Sequence, residues 1–297
     1  MSRRRETPKQ TVAFEVYRAV AWVGRTLPER SGRRVFTWAG RLACRALPGV
    51  RATVASNQAQ VLGRPPDDPL VRTATRQAFE RYARYWFDTF HLGRLSDEEL
   101  TRRFHVDGVE HMEAAHDAGK GLVMVMPHMG NWDVGGRWMW SRGERLVSVA
   151  ERLEPERLFR LFLRHREDLG MEIIGSDDRG VGQQLATALA QNRMVCLVAD
   201  RDLSGRGVEV EMFGRTRRVP AGPALLALSA GAPLIVVSIT EERGDWRCVF
   251  GRPIEVPLTG NRREDVRALT VAMAAGFERA IAASPPDWHM FQPGWGS

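Results

Sequence analysis

From about residue 103 onward, strand-length apolar runs alternate with helical stretches, and this alternation limits the fold more than any other feature. Strand-like runs recur near 104–107, 121–126, 145–150, 171–174, 194–199, 207–213, 234–240 and 245–250. Helical segments lie near 109–118, 131–142, 154–169, 179–191, 221–230 and 262–283. The pattern predicts an α/β fold with a mainly parallel or mixed central sheet flanked by helices. A chain of 297 residues, 43% hydrophobic, can fill one large core or two small ones. No internal repeat and no linker interrupts it after residue 70. We read residues 70–297 as one α/β domain and residues 1–69 as an N-terminal amphipathic helical extension.

In that extension, Val12, Val16, Val20, Val23 and Leu27 form a helical stripe. Val35, Trp38 and Leu42 repeat it, with Arg34, Arg41 and Arg45 on another side. Such basic helices are either ordinary surface helices or helices lying in a membrane interface. Residues 70–92 form a long helix rich in aromatics (Phe79, Tyr82, Tyr85, Trp86, Phe87, Phe90), either core or a wall against something apolar. Net charge is +7, and Arg far outnumbers Lys. That balance suits phosphate groups or an anionic membrane, and by itself does not exclude nucleic acid. Cys44, Cys196 and Cys248 are an odd set without a CxxC pair, which speaks against a disulfide framework and for a reducing compartment. The N-terminus lacks the apolar core of a signal peptide. The uncharged stretch Val219–Thr240 is broken by Pro220, Pro223, Gly231 and Pro233, so it does not read as a membrane span.

The chemistry gathers at two strand ends. The run Leu122–Met126 leads into Pro127-His128-Met129-Gly130-Asn131-Trp132-Asp133. Substrates of open α/β sheets bind outside the carboxyl ends of strands. A histidine there can act as a base, and an aspartate one turn on can accept from one ring nitrogen and raise the basicity of the other. A structural histidine is the competing reading. The run Val195–Ala199 leads into Asp200-Arg201-Asp202, which could orient a base, hold a polar head or hold a divalent metal. Arg166, just before a turn into a strand, is the favoured arginine for phosphate. His111 and His116 are five apart and miss the i, i+4 face of a metal-binding helix; no resident metal is expected. Cys196 reads as inert core.

The segment from Pro127 to Asp133 has the His-x4-Asp form of glycerolipid acyltransferases. Its setting resembles the lysophospholipid and lipid A late acyltransferase family, and within it the actinobacterial phosphatidylinositol mannoside acyltransferases. Further matches are Glu80–Trp86, the Arg166 segment ending in Leu169-Gly170-Met171-Glu172, Ala199–Leu203, Val219–Ala224 and Pro286–Met290. The resemblance implies a peripheral enzyme on the cytoplasmic face of the cell membrane. It would move a long acyl chain, typically palmitoyl, from acyl-CoA to a mannose hydroxyl of a phosphatidylinositol mannoside. An anionic membrane surface is the implied partner, with no nucleic acid, no cofactor and no acyl-enzyme. By the same resemblance His128 is the base and Asp133 the acid that orients it or supports its charge. Asn131, Arg166, Asp200, Arg201 and Asp202 contribute to substrate binding, with either acid of the last pair facing His128 or the sugar. Backbone N–H groups around Gly130 or at the start of the next helix are expected to stabilise the oxyanion.

Three alternatives stay open at this stage. One is a metal-dependent glycosyltransferase using Asp200 and Asp202. Another is a lipid acyltransferase with a different acceptor. The last is a non-enzymatic module that binds membranes or nucleic acid by charge.

Overall fold

Four helices occupy most of residues 8–91: α1 (Pro8–Thr26), α2 (Glu29–Ala46), α3 (Pro48–Leu62) and α4 (Pro69–His91). The computed structural model describes residues 6–295. Thr7 and Gln10 close a reciprocal capping box at the start of α1. Helices α1 and α2 meet α4 through small residues: Ala21, Gly24, Gly32, Gly40 and Cys44 are buried. A Cβ on Gly40 would lie 2.5 Å from the Phe79 carbonyl oxygen, so only glycine lets the helices approach this closely. The larger apolar residues are left outside. Val12, Val16, Trp22, Val35, Trp38 and Leu42 are exposed, and the expected stripe faces partly outward.

Sequence periodicity does not reveal α3, because polar Asn57 and Gln58 are among its buried residues. Its punctuation is nevertheless ordinary: Pro48 opens it, and Gly63, at φ +60°, ends it.

After a short 3₁₀ turn, the chain runs α5 (Asp97–Arg103), β1 (Phe104–Asp107), α6 (Val109–Asp117), β2 (Leu122–Met126), α7 (Trp132–Ser141), β3 (Val147–Ala150), α8 (Glu156–Asp168), β4 (Glu172–Gly175), α9 (Val181–Ala190) and β5 (Met194–Val198). A hairpin follows, β6 (Val208–Met212) and β7 (Arg215–Val219), then α10 (Gly222–Ala230), β8 (Leu234–Glu242), β9 (Asp245–Phe250) and α11 (Arg262–Ala283). The hairpin turns on Phe213 and Gly214, both at positive φ. Strand β7 was not expected, because its sequence, Arg215-Thr-Arg-Arg-Val219, offers little apolar signal.

Among the described residues, seven strands form one sheet in the order β1-β9-β8-β2-β5-β3-β4. Every neighbouring pair is parallel except β8 with β9. The sheet is therefore mostly parallel, and the chain has the α/β architecture its alternation predicts. Strand β2 lies at the centre and is buried along its whole length. Val123 and Val125 point to the face covered by α9, α10 and α11; Leu122, Met124 and Met126 point to the face covered by α6 and α7. This two-sided burial explains a continuous apolar run rather than an alternating one.

Residues 285–295 cross the carboxyl end of the sheet. Asn57 Nδ2 donates to the carbonyls of Met290 (2.9 Å) and Gln292 (2.8 Å), and Gln58 Nε2 to that of Pro285 (2.9 Å). The buried amides of α3 thus serve as the anchor of this segment.

Candidate active site

Strands β2 and β5 are in parallel register up to the pair Met126 and Val198. His128 and Asp200 each follow two residues later, so the sheet delivers them side by side. Asp200 Oδ1 accepts from the His128 backbone N–H at 3.1 Å and from His128 Nδ1. Its Oδ2 accepts from the Trp288 indole Nε1–H at 2.8 Å. Asp200 is 0% exposed. Burial opposes its charge, but His128, the hydrogen bonds from His128 and Trp288, and the nearby Arg217 guanidinium hold the carboxyl down to about 2. An ionised acceptor at Nδ1 keeps the proton on that nitrogen and leaves Nε2 with its lone pair.

The turn that carries His128 is gripped from two sides. Gly130 sits at φ +59°, and a Cβ there would lie 1.9 Å from the Ile239 carbonyl oxygen, so no other residue fits. Its N–H donates to the Asp287 carbonyl (2.9 Å), and its own carbonyl accepts from His289 Nε2–H (2.9 Å). The His289 backbone N–H donates to the His128 carbonyl at 2.7 Å. Burial pushes the His289 imidazole down to about 4, which keeps it a neutral donor. Of the oxyanion donors expected around Gly130 or at the start of the next helix, the Gly130 N–H itself is already used.

Asp133 is also placed differently from the sequence reading. It stands in the first turn of α7, where Asn131 is the N-cap, with Oδ1 accepting from the N–H groups of Asp133 (3.1 Å) and Val134 (3.2 Å). There the Asp133 carboxylate has three hydrogen-bond partners among the described residues, and His128 is not one of them. Oδ2 accepts from Tyr85 Oη (3.1 Å) and Thr89 Oγ1 (3.3 Å), and Oδ1 from Arg166 Nε (2.9 Å). Arg166 stays firmly charged: burial pulls against it, and the Asp133 carboxylate outweighs burial. Asn131, 3% exposed, caps α7 through its Oδ1, and its buried Nδ2 has no partner among the described residues.

Nor do Asp200 and Asp202 act as a pair. Asp202 folds back on its own loop, with Oδ1 accepting from Ser204 N–H (3.0 Å) and Oδ2 from Gly207 N–H (2.6 Å). The two carboxylates do not converge on one ion. Among the described residues no cluster of three or more His, Cys, Asp or Glu is arranged to hold a metal. Burial pushes the Cys196 thiol up to about 12 and that of Cys248 well above its usual range, so both stay protonated.

His128 stands where two cavities meet. The larger, about 700 Å³, is lined by apolar side chains of β3 to β5, α9 and α10, among them Val149, Ile173, Leu185, Ala186, Leu197 and Leu226. Ser229 and Arg262 line it at the other end of α10. The smaller, about 240 Å³, has aromatic walls: Tyr17, Tyr82, Tyr85, Trp86, Trp132 and Phe162. Arg166 and Arg201 line both. Of the aromatics of α4, Phe79, Phe87 and Phe90 are core, while Tyr82, Tyr85 and Trp86 form the wall. Trp288 and Tyr85 hold the two acids of the site, yet nothing in their own sequence neighbourhoods marks those contacts.

The family model described as bacterial lipid A biosynthesis acyltransferase matches residues 2–297. A phosphatidylinositol mannoside acyltransferase of Mycobacterium tuberculosis (strain ATCC 25618 / H37Rv) is 39% identical over 285 residues, covering 93% of this chain and 87% of that protein. A protein of the same description from Mycolicibacterium smegmatis (strain ATCC 700084 / mc(2)155) is 39% identical over 280 residues, covering 93% of this chain and 90% of its own length.

Proposed function

The chain belongs to the bacterial lipid A biosynthesis acyltransferase family, and on that footing we propose that it moves a long acyl group, palmitoyl first, from acyl-CoA to a mannose hydroxyl of a phosphatidylinositol mannoside. The acceptor follows the names of its relatives. The observation that carries the reaction is the His128–Asp200 pair at the mouth of an apolar cavity large enough for an acyl chain.

In this reading His128 Nε2 takes the proton of the acceptor hydroxyl, and the oxygen attacks the thioester carbonyl carbon. The imidazolium is stabilised by ionised Asp200. When the tetrahedral intermediate collapses, the C–S bond breaks and Nε2 returns its proton to the coenzyme A thiolate. No acyl-enzyme is needed, in keeping with protonated Cys196 and Cys248. The apolar cavity takes the acyl chain and the aromatic one takes the sugar. Arg166, oriented by Asp133, supplies cationic donors where the two meet. The exposed apolar row of α1 and α2 rests on the cytoplasmic face of the cell membrane. No helix among the described residues is long and apolar enough to cross it.

The test is release of coenzyme A from palmitoyl-CoA, with and without a phosphatidylinositol mannoside, for the wild type and His128→Ala. Acceptor-dependent release that vanishes in a folded variant supports the proposal. Release that ignores the acceptor points to another acceptor or to hydrolysis, and full turnover by His128→Ala overturns the base.

A further inference from the structure

A third cavity, about 440 Å³, lies beyond Arg201 and is bordered by the β6–β7 hairpin and the segment 290–295. Arg201 lines it as well as the two cavities at His128, so all three share one side chain. The acyl-transfer reading leaves this space unused.

Its charges are unevenly satisfied. The two acids that line it are occupied: Asp202 by its own loop, and Glu209 by Arg218 Nη2 at 2.8 Å. Arg201 meets a neutral partner, Gln292 Oε1, at 2.7 Å, and among the described residues no carboxylate pairs with it. Arg217 is 7% exposed. Its Nη2 donates to the Asp200 carbonyl at 2.6 Å, while Nε and Nη1 have no partner among the described residues. Its guanidinium carbon lies 5.6 and 5.4 Å from the Trp288 and Trp295 ring centroids. The indole Nε1–H of Trp295 is likewise buried and unpartnered. Buried donors in native proteins nearly always have acceptors. Here the two side chains that carry three of them, Arg217 and Trp295, line one cavity beside an arginine that lacks a counter-charge.

We propose that this cavity is a phosphate subsite, in which Arg201, Arg217 and the Trp295 N–H receive a phosphate ester of a substrate. Guanidinium groups suit such an anion, because their N–H groups match its oxygens in pairs. The subsite rests on the acyltransferase reading only for the source of the phosphate. That source is either the nucleotide end of the coenzyme A thioester or the phosphodiester of the inositol lipid.

Isothermal titration calorimetry on the full chain, with adenosine 3′,5′-bisphosphate and with glycerophosphoinositol, separates the two. Saturable binding of the first assigns the cavity to the donor, and of the second to the acceptor. Arg201→Gln should weaken the bound probe about tenfold, and Trp295→Phe, which removes the N–H and keeps an aromatic ring, about fivefold. Arg142→Gln, whose arginine pairs with Glu113 elsewhere, should change nothing. Binding of neither probe by the wild type overturns the subsite, as does an unchanged affinity in Arg201→Gln. A loss in Arg201→Gln with none in Trp295→Phe overturns its placement in this cavity. The readout needs no turnover. A chain that transfers acyl groups but binds neither probe refutes the subsite alone. One that binds through Arg201 and Trp295 but transfers nothing keeps the subsite and refutes the reaction.

Discussion

Arg166 Nε and Asp133 Oδ1 face each other at 2.9 Å, and His128 takes no part in that pair. The acid of the His-x4-Asp spacing therefore holds an arginine, while the histidine is held by an acid 72 residues further along. One pair joins two strand ends, the other the first turn of α7 to the last turn of α8, and His128 and Arg166 line the same two cavities.

The two acids should fail in different ways. Asp200→Asn keeps the shape of the pair but loses the charge that fixes the tautomer, and kcat should fall by roughly 10³–10⁴ with little change in KM. Asp133→Asn leaves the buried Arg166 charge without its counter-ion, which costs about 3–5 kcal/mol of stability, and should raise KM more than it lowers kcat. Steady-state kinetics with thermal unfolding of both variants checks this. An exchange of the two signatures would reverse the assignment.

Chain-length selectivity should respond to the wall of the larger cavity. Ala186 lines it from α9, and Ala186→Phe narrows it without touching His128. The ratio of palmitoyl to octanoyl transfer should drop at least about tenfold, on the order of two buried methylenes. An unchanged ratio would place the acyl chain elsewhere.

Vesicle binding should depend on the outer row of the first helices. Trp22 is 66% exposed and Trp38 65%. If both enter the bilayer surface, replacing both by Ala should weaken partitioning by about 3 kcal/mol, or roughly a hundredfold. Flotation with anionic vesicles measures it, and a double variant that floats like the wild type would free this face from the membrane.

Asp88 and Asp287 should each draw stability down as pH rises from about 4 toward 7, while His289, held near 4 against about 6.5 unfolded, adds stability over the lower part of that range. Burial pushes the Asp88 carboxyl up to about 7, with Arg33 3.2 Å away pulling the other way. Burial likewise pushes Asp287 up to about 6. Both lie above the unfolded value of about 3.9, so at these two sites the native chain holds more protons and their contribution is lost as pH climbs from about 4 to 6 and 7. Asp200 runs the other way, contributing above about 4 and failing only as pH falls toward 2. Asp88→Asn should remove up to about 4 kcal/mol of decline between pH 4 and 7. Equal slopes in wild type and variant would assign the decline to other groups.

The sheet was legible because burial on both faces leaves continuous apolar runs, and β2 and β5 carry that signature most clearly. His128 stood out because it follows such a run at the carboxyl end of a strand, where substrates of open sheets bind. Its partner was harder to read, since spacing within one turn suggests Asp133, whereas the contact follows from the register of two strands far apart in sequence. Arg217 is one of several arginines near these strand ends, and the sequence favours Arg166 over it for a related reason. Strand β7 looks like charged loop, and only the hairpin's pairing turns that side chain inward. The buried amides of α3 broke the apolar rhythm that would have announced a helix.

The contact between Trp288 and Asp200 has a bearing on timing during synthesis. Every strand leaves the ribosome before Trp288 does, and the two residues are 88 positions apart, an interval of roughly 4–18 s at about 5–20 residues per second. Throughout that interval Asp200 has its histidine but not its tryptophan, and the His128 turn lacks the clasp of Asp287 and His289. A nascent chain can thus complete its sheet while its reaction centre is still unfinished, so competence waits for the segment that carries Trp288.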